Sequence, residues 1–286
     1  MNPITALMTA LGVLTGIFVV AWSKAIGGPG PIHIAIGAVT NFFDALGIGS
    51  FATTTTMFRL GRLVPDRVIP GTLNAGHTLP TVAQAFIFIA VIPVDVLTLV
   101  SMIVAAVLGA WLGAGVVARW PKRKVQIGMG VALLAFAAFA LMRQLSLFPP
   151  GSDEIGVRGV KLAIAVGGNF MLGALMTLGI GLYAPCMILV SLLGMSERTA
   201  FPVMMGSCAF LMPVGSLRFI REQAYSLRNA LGLAIGGVAG SYVAAKFFES
   251  LNIRTVRWLV IVVVLYTAIT MLMSASAERA AGESKD

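Results

Sequence analysis

Two ionisable residues, Asp44 and His77, lie deep within long apolar stretches of this chain, whereas the others flank the ends of such stretches. A charged group at the centre of a bilayer costs at least about 2.5 kcal/mol on insertion scales, so it tends to face a cavity or a partner. An acid and an imidazole in that setting are candidate proton-coupling groups, because both titrate usefully when buried. The plainer alternatives are a neutral carboxyl bonded to unwound backbone and a satisfied core imidazole. Asp44 stands one helical turn before Gly47, and His77 follows Gly76; Asn41 and Asn74 precede the two ionisable residues at the same short spacing.

A second chemistry is anion binding by the backbone itself. The apolar runs 32–58 and 162–195 are too long for one span, and each carries glycines near its middle: Gly47-Ile48-Gly49-Ser50 and Gly179-Ile180-Gly181, the latter followed by Pro185. Glycine and proline interrupt a helix there, so each run reads as a helix followed by a half-helix. The first half-helix is expected over Phe51 to Leu60, with Ser50 as N-cap and Gly61 as the C′ residue, and the second over Pro185 to Leu193, closed by Gly194. Each is about ten residues, or roughly 15 Å, half a bilayer. Unwound backbone at that depth survives only where it is buried in protein or lines a cavity, and the free N–H groups of a half-helix attract an anion.

The expected substrate-binding residues are therefore Gly47, Gly49, Ser50, Phe51 and Thr53 at the first break and Gly179, Gly181, Tyr183 and Cys186 at the second. Asn74, Thr78 and Ser207 are expected to contribute from adjoining helices. The competing explanation is that small and hydroxylated residues only permit close helix packing in lipid. Asn41, Gln84, Asn169, Thr177 and Cys208 are further polar groups at depth, each by itself more often an interhelical hydrogen bond than a ligand contact. Cys186 near a half-helix N-terminus is a candidate for thiol chemistry, although a buried cysteine usually acts as a small apolar filler.

The elements that must position these residues follow from composition. The chain has 286 residues, only 20 Lys plus Arg and 11 Asp plus Glu, and 58% hydrophobic residues. Ordinary soluble domains carry about 25% charged residues, so lipid is the solvent, and the formal net charge of +9 is spread between apolar runs rather than forming a nucleic-acid-binding face. Apolar runs also occupy 4–22, 68–92, 96–118, 125–142, 199–217, 229–245 and 258–274. At about 20 residues per span, the expectation is an all-α polytopic membrane protein with about nine transmembrane helices. No basic segment precedes the first run and no small-residue cleavage site closes it, so it reads as a retained span. Two cysteines within apolar stretches provide neither a disulfide framework nor a zinc site. No metal, cofactor or catalytic residues are expected, and the expected partners are a small-molecule anion, the lipid bilayer and a coupling proton or cation, with a homodimer as one arrangement.

The two breaks also repeat. Leu46-Gly47-Ile48-Gly49 matches Leu178-Gly179-Ile180-Gly181 at an offset of 132, Gly76 matches Gly206 at 130, and the pair Gly109/Gly113 matches Gly236/Gly240 at 127. This drift reads as an internal duplication. The organisation expected is an extra first span at 1–30, repeat 1 at 31–145, a linker at 146–159, repeat 2 at 160–276 and a polar tail at 277–286, each repeat with about four helices including a Gly-broken helix and its half-helix. Charge counting puts 59–67 and 119–124 on the cytoplasmic side, whereas 218–228 and 246–257, equally basic, flank one span, so parallel and inverted repeats both remain open.

The duplicated pattern Gly37-x9-Gly47-Ile48-Gly49 and Gly173-x5-Gly179-Ile180-Gly181, each opening a short helix, resembles the TauE/SafE family of bacterial membrane proteins over about 32–274. Where that family has a glycine triplet after the Gly-Ile step, this chain has Gly49-Ser50-Phe51 and Gly181-Leu182-Tyr183. The resemblance implies a multi-pass inner-membrane permease for small sulfur-containing anions, with sulfite and small organosulfonates such as sulfoacetate as suggested substrates, mostly in the export direction. A cation-coupled importer of such an anion, and a membrane-embedded enzyme using Asp44, His77 and Cys186, are the other readings of these residues.

Overall fold

The computed structural model describes residues 2–23, 28–45, 49–147, 152–178, 181–247 and, between 258 and 276, all but 259–260, 263, 267 and 274. Gly47 and Gly179, with Ile48 and Ile180, lie outside the described residues, as do the tail 277–286 and most of the basic segment 246–257. The elements are helices α1 (Pro3–Ser23), α2 (Pro31–Ala45), α3 (Ser50–Leu60), α4 (Ile69–Val91), α5 (Val96–Val117), α6 (Lys122–Gln144), α7 (Gly159–Met176), α8 (Tyr183–Leu192), α9 (Glu197–Arg221) and α10 (Leu227–Phe247). Further helical residues follow between 258 and 276. Among the described residues there is no strand, only one isolated bridge between Glu154 and Met195.

Among the described residues five helices, α1, α5, α6, α7 and α9, are long and apolar enough to cross a membrane. α4 and α10 match them in length, with 23 and 21 residues, but are not among these five. For α4 the reason is its position: from Ile69 to Thr78 every residue is buried, so it needs little lipid-compatible surface. α1 shows the opposite pattern. Leu11, Phe18 and Trp22 form its single buried stripe, whereas Val13, Ile17 and Val20 are exposed, as expected of a peripheral helix with one face on protein and the rest in lipid.

α2–α3 and α7–α8 are helical hairpins. His33 near the start of α2 faces Phe58 near the end of α3, with ring centroids 6.0 Å apart, so α3 returns alongside α2. Likewise Gly194, just past α8, lies beside Lys161 at the start of α7. The two hairpins open at opposite ends of the bundle. At one end, Arg59 pairs with Asp66, which also accepts from Gln126 at 2.8 Å; Arg119 pairs with Glu222 at 2.7 Å; and Ser226 N–H donates to Thr72 at 2.9 Å. The basic loops 59–67, 119–124 and 218–228 therefore gather at the end where α2–α3 opens. At the other end, residues 152–158 strap the starts of α5, α7 and α9: Asp95 N–H donates to Ile155 O at 2.9 Å and Ser196 N–H to Glu154 O at 2.8 Å.

Glycine sets the closest crossings. A Cβ on Gly236 or Gly240 of α10 would strike the backbone of Ile34 or Ala38 in α2, and one on Gly37 would strike Leu233 in return. A Cβ on Gly109 of α5 would strike Phe170 of α7, one on Gly113 would strike Ala174, and one on Gly173 would strike Ala106. These are the two GxxxG pairs read from the sequence, now with identified partners. α4 and α9 pack against each other and against α10 and α5 respectively at the centre.

Two cap assignments differ from expectation. α3 begins after Gly49, not Ser50, because Gly49 holds φ at 92°, a conformation that side chains disfavour. Its left-handed C-terminal residue is Arg62 at φ 49° rather than Gly61, with Leu63 N–H bonding back to Phe58 O at 3.0 Å; the missing side chain of Gly61 instead leaves room for Leu63. Gly194, at φ 86°, closes α8 as expected.

Two tests follow from this architecture. Gly236→Val and Gly109→Val force backbone apart and are each expected to cost about 1–3 kcal/mol, seen as a lower melting temperature in detergent; Gly12→Val, where nothing lies within 4 Å of the added carbon, leaves it in place. At the strap, Asp95 accepts from Arg158 at 2.6 and 2.8 Å and caps α5 through Thr98 N–H at 2.8 Å. Hydrogen bonding from Arg158, with help from Thr98, holds the Asp95 carboxyl well below the usual carboxylate range. Its contribution is thus present above the unfolded value of about 3.9 and lost as pH falls towards the lower folded value. Hydrogen exchange at the Asp95 and Val157 amides is expected to lose protection only below about pH 4.

Candidate functional site

The start of α3 is buried inside the bundle, so its first N–H groups need partners from elsewhere. Asp44, in the last turn of α2 and fully buried, supplies one: its Oδ1 accepts from Ser50 N–H at 2.6 Å. The other carboxylate oxygen accepts from the Tyr183 hydroxyl at 3.0 Å. Tyr183 is the first residue of α8, so this one carboxylate joins the two breaks, 139 residues apart in sequence. The phenol oxygen also lies 3.2 Å from Gln84 Oε1 and 2.9 Å from Met205 Sδ, and Gln84 donates to Ser241 at 2.8 Å. A polar chain therefore runs from α2 through α8 and α4 to α10.

Its depth follows from the helices it touches. Gln84 is about 22 Å from the start of α4, and Met205 about 12 Å from the start of α9, at 1.5 Å per residue. α4 and α9 start at opposite ends, and the two lengths sum to about one bilayer core. The cluster sits inside the core, nearer the end where α9 starts.

A narrow cavity lies here, lined by Ser50 and Phe51 from the first break, Gly181, Leu182 and Tyr183 from the second, and Thr81, Met176 and Cys208. Its interior has room for about one water molecule, so in this conformation the two breaks nearly close on each other. Of the expected site residues, Ser50, Phe51, Gly181 and Tyr183 meet in it. Gly49 sets the turn that leads into it, and Asp44 sits behind Ser50 and Tyr183.

Other expected residues are engaged elsewhere. The Thr53 hydroxyl bonds to the carbonyls of Gly49 and Ser50 at 3.1 and 2.9 Å, and that of Thr78 to Asn74 O at 2.7 Å. Asn74 donates to Pro70 O at 2.8 Å, and Ser207 accepts from Asn169 at 2.9 Å. Cys186 is buried with its N–H bonded to Leu182 O at 3.0 Å; it does not line the cavity, whereas Cys208 does.

His77 is held by neutral groups on both ring nitrogens, Nδ1 by the Asn41 side-chain amide at 2.9 Å and Nε2 by the Thr54 hydroxyl at 3.0 Å. It thereby ties α2, α3 and α4 together behind the cavity, with its ring 5.6 Å from that of Phe51. Thr81 is a lining residue that the sequence reading passed over. The signal for it was the spacing His77, Thr81, Gln84, which places all three on one face of α4.

Compared with protein-family models, curated proteins and solved structures, the chain matches none of them. The geometry of the His77 tie makes its own prediction. Asn41→Leu or Thr54→Val leaves a ring nitrogen buried without a partner, and each is expected to cost about 1–3 kcal/mol, measured as a loss of thermal stability of the detergent-solubilised protein.

Proposed function

We propose that this chain is a multi-pass permease of the TauE/SafE type, resident in a bacterial inner membrane, that moves a small sulfur-containing anion such as sulfite or a small organosulfonate. One observation carries the reading: two helix breaks, on hairpins that open at opposite ends of the bundle, meet at one small cavity inside the bundle. Half-helix N-termini pointing at a common site are how secondary transporters hold anions, and rocking one repeat against the other exposes such a site to either side. The backbone N–H groups at the starts of α3 and α8, with the Ser50, Thr81 and Tyr183 hydroxyls, are the donors.

Reciprocal packing supports a duplication with inverted orientation. In this reading α2–α3, α4 and α5 form one repeat with α6, while α7–α8, α9 and α10 form the other with the helical residues of 258–276. The first helix of each repeat then packs on the fourth of the other through corresponding glycines, Gly236 on Ile34 and Ala38, Gly109 on Phe170 and Ala174. In this reading seven helices cross and α2–α3 and α7–α8 are re-entrant hairpins, so α7 stops short of the far side although it is long and apolar enough to cross. Three basic loops at one end support that end facing the cytoplasm.

A cation-coupled importer would display the Asp44 oxygens to an ion. Both oxygens face donors instead, Ser50 N–H and the Tyr183 hydroxyl, which favours the anion reading.

Purified protein in liposomes tests the assignment. Sulfite and methanesulfonate are expected to cross faster than in protein-free vesicles, and Gly49→Ala, which strains the positive φ of the first break by about 1–2 kcal/mol, to reduce that flux several-fold. If neither anion crosses, or if Gly49→Ala transports normally, the site is elsewhere.

A further inference from the structure

The charges around the cavity decide which anion it takes and what must accompany it. Among the described residues, the cavity lining contains no Lys or Arg. The positive potential comes from the ends of α3 and α8, each equivalent to about half an elementary charge, so together they approach one. Asp44, when ionised, cancels that charge, and its Oδ1 already occupies the Ser50 N–H at 2.6 Å. A bound anion and an ionised Asp44 would therefore compete for the same donor and leave a net negative charge in a low-dielectric interior, where such repulsion is large.

Other ionisable groups nearby offer no substitute. From α4, His77 bonds to Asn41 and Thr54 and not to the Ser50 N–H or the Tyr183 hydroxyl that Asp44 holds; from α8 and α9 come Tyr183, Cys186 and Cys208, which are neutral when protonated. Asp44 is the group whose charge can change to admit the substrate. A proton on it frees the Ser50 N–H for the anion and turns an acceptor into an O–H donor.

Resting on the permease reading above, we infer that Asp44 is an internal stand-in for the substrate: the site takes monoanions, each entering with one proton carried on Asp44, so that transport is electroneutral and excludes dianions. Bisulfite rather than the sulfite dianion, and sulfonates rather than sulfate, are the matching chemistry. Proton transfer leaves the balance closed, because the proton that Asp44 gains on one side is released to water with the anion on the other.

The test uses the full-length protein in liposomes loaded with a pH-sensitive dye, with methanesulfonate and sulfate as probes. Inward methanesulfonate gradients are expected to acidify the lumen by one proton per anion, unaffected by a potassium-clamped membrane potential, whereas sulfate gives no acidification above protein-free vesicles. Asp44→Asn is expected to carry labelled methanesulfonate more slowly, without acidification and without pH dependence. If that variant does not fold, Tyr183→Phe serves, since removing a donor to the ionised carboxylate is expected to move the pH midpoint of flux upward. Proton movement persisting in Asp44→Asn, an unmoved midpoint in Tyr183→Phe, current flow with methanesulfonate, or sulfate transport at a similar rate each overturns the inference while leaving the permease reading standing. Failure of methanesulfonate, sulfite and sulfate alike to cross overturns both.

Discussion

A helix that begins inside a packed bundle starts with N–H groups that no preceding turn can satisfy, and in lipid no water reaches them. In the half-helix α3 the first of these groups is held by Asp44. Much of the interior follows from that requirement. The carboxylate needs a second donor, which Tyr183 supplies from the other break, and the phenol in turn lies against Gln84 and Met205 on the two central helices. A buried carboxylate without its partners would be costly, so this cluster specifies how the two hairpins and the central pair must sit relative to one another.

Close packing makes that arrangement reachable. Tyr183 meets Asp44 only if α2 and α7 are pressed into the bundle by their outer neighbours, and those neighbours approach through glycine. Gly236, Gly240 and Gly37 let α10 and α2 touch along their backbones, and Gly109, Gly113 and Gly173 do the same for α5 and α7. In lipid, where hydrophobic burial does not drive helix association, such contacts and interhelical hydrogen bonds carry the assembly. The cavity is the space left where two breaks of different composition meet, Ser50-Phe51 against Leu182-Tyr183.

Polar residues at depth divide according to whether a helix turn of their own can satisfy them. Thr53, Asn74 and Thr78 bond to carbonyls three or four residues back, the local competition familiar for hydroxyl and amide side chains. Asn41 and Asn169 do reach across to other helices, to His77 and to Met102 O and Ser207. His77 thereby becomes a tie between three helices. Asp44 has neutral partners on both oxygens as well, but its partners come from the two breaks, whereas those of His77 come from α2 and α3 alone.

Membrane class was legible in the chain because lipid as a solvent imposes its demands on every exposed side chain, and 58% hydrophobic residues with charges at run ends leave no other environment. The places of the two breaks were legible too, near Gly49 and Gly181, because backbone geometry at glycine and proline is local. The GxxxG faces were visible as spacing, although their partners were not. Tertiary structure alone decided that α2–α3 and α7–α8 open at opposite ends, that Asp44 rather than a hydroxyl caps α3, that α4 is enclosed, and that Thr81 and Cys208 line the cavity while Cys186 does not. Each of these depends on how helices far apart in the chain are placed against one another. Local periodicity says which face a residue occupies, and only the packed bundle says what that face meets.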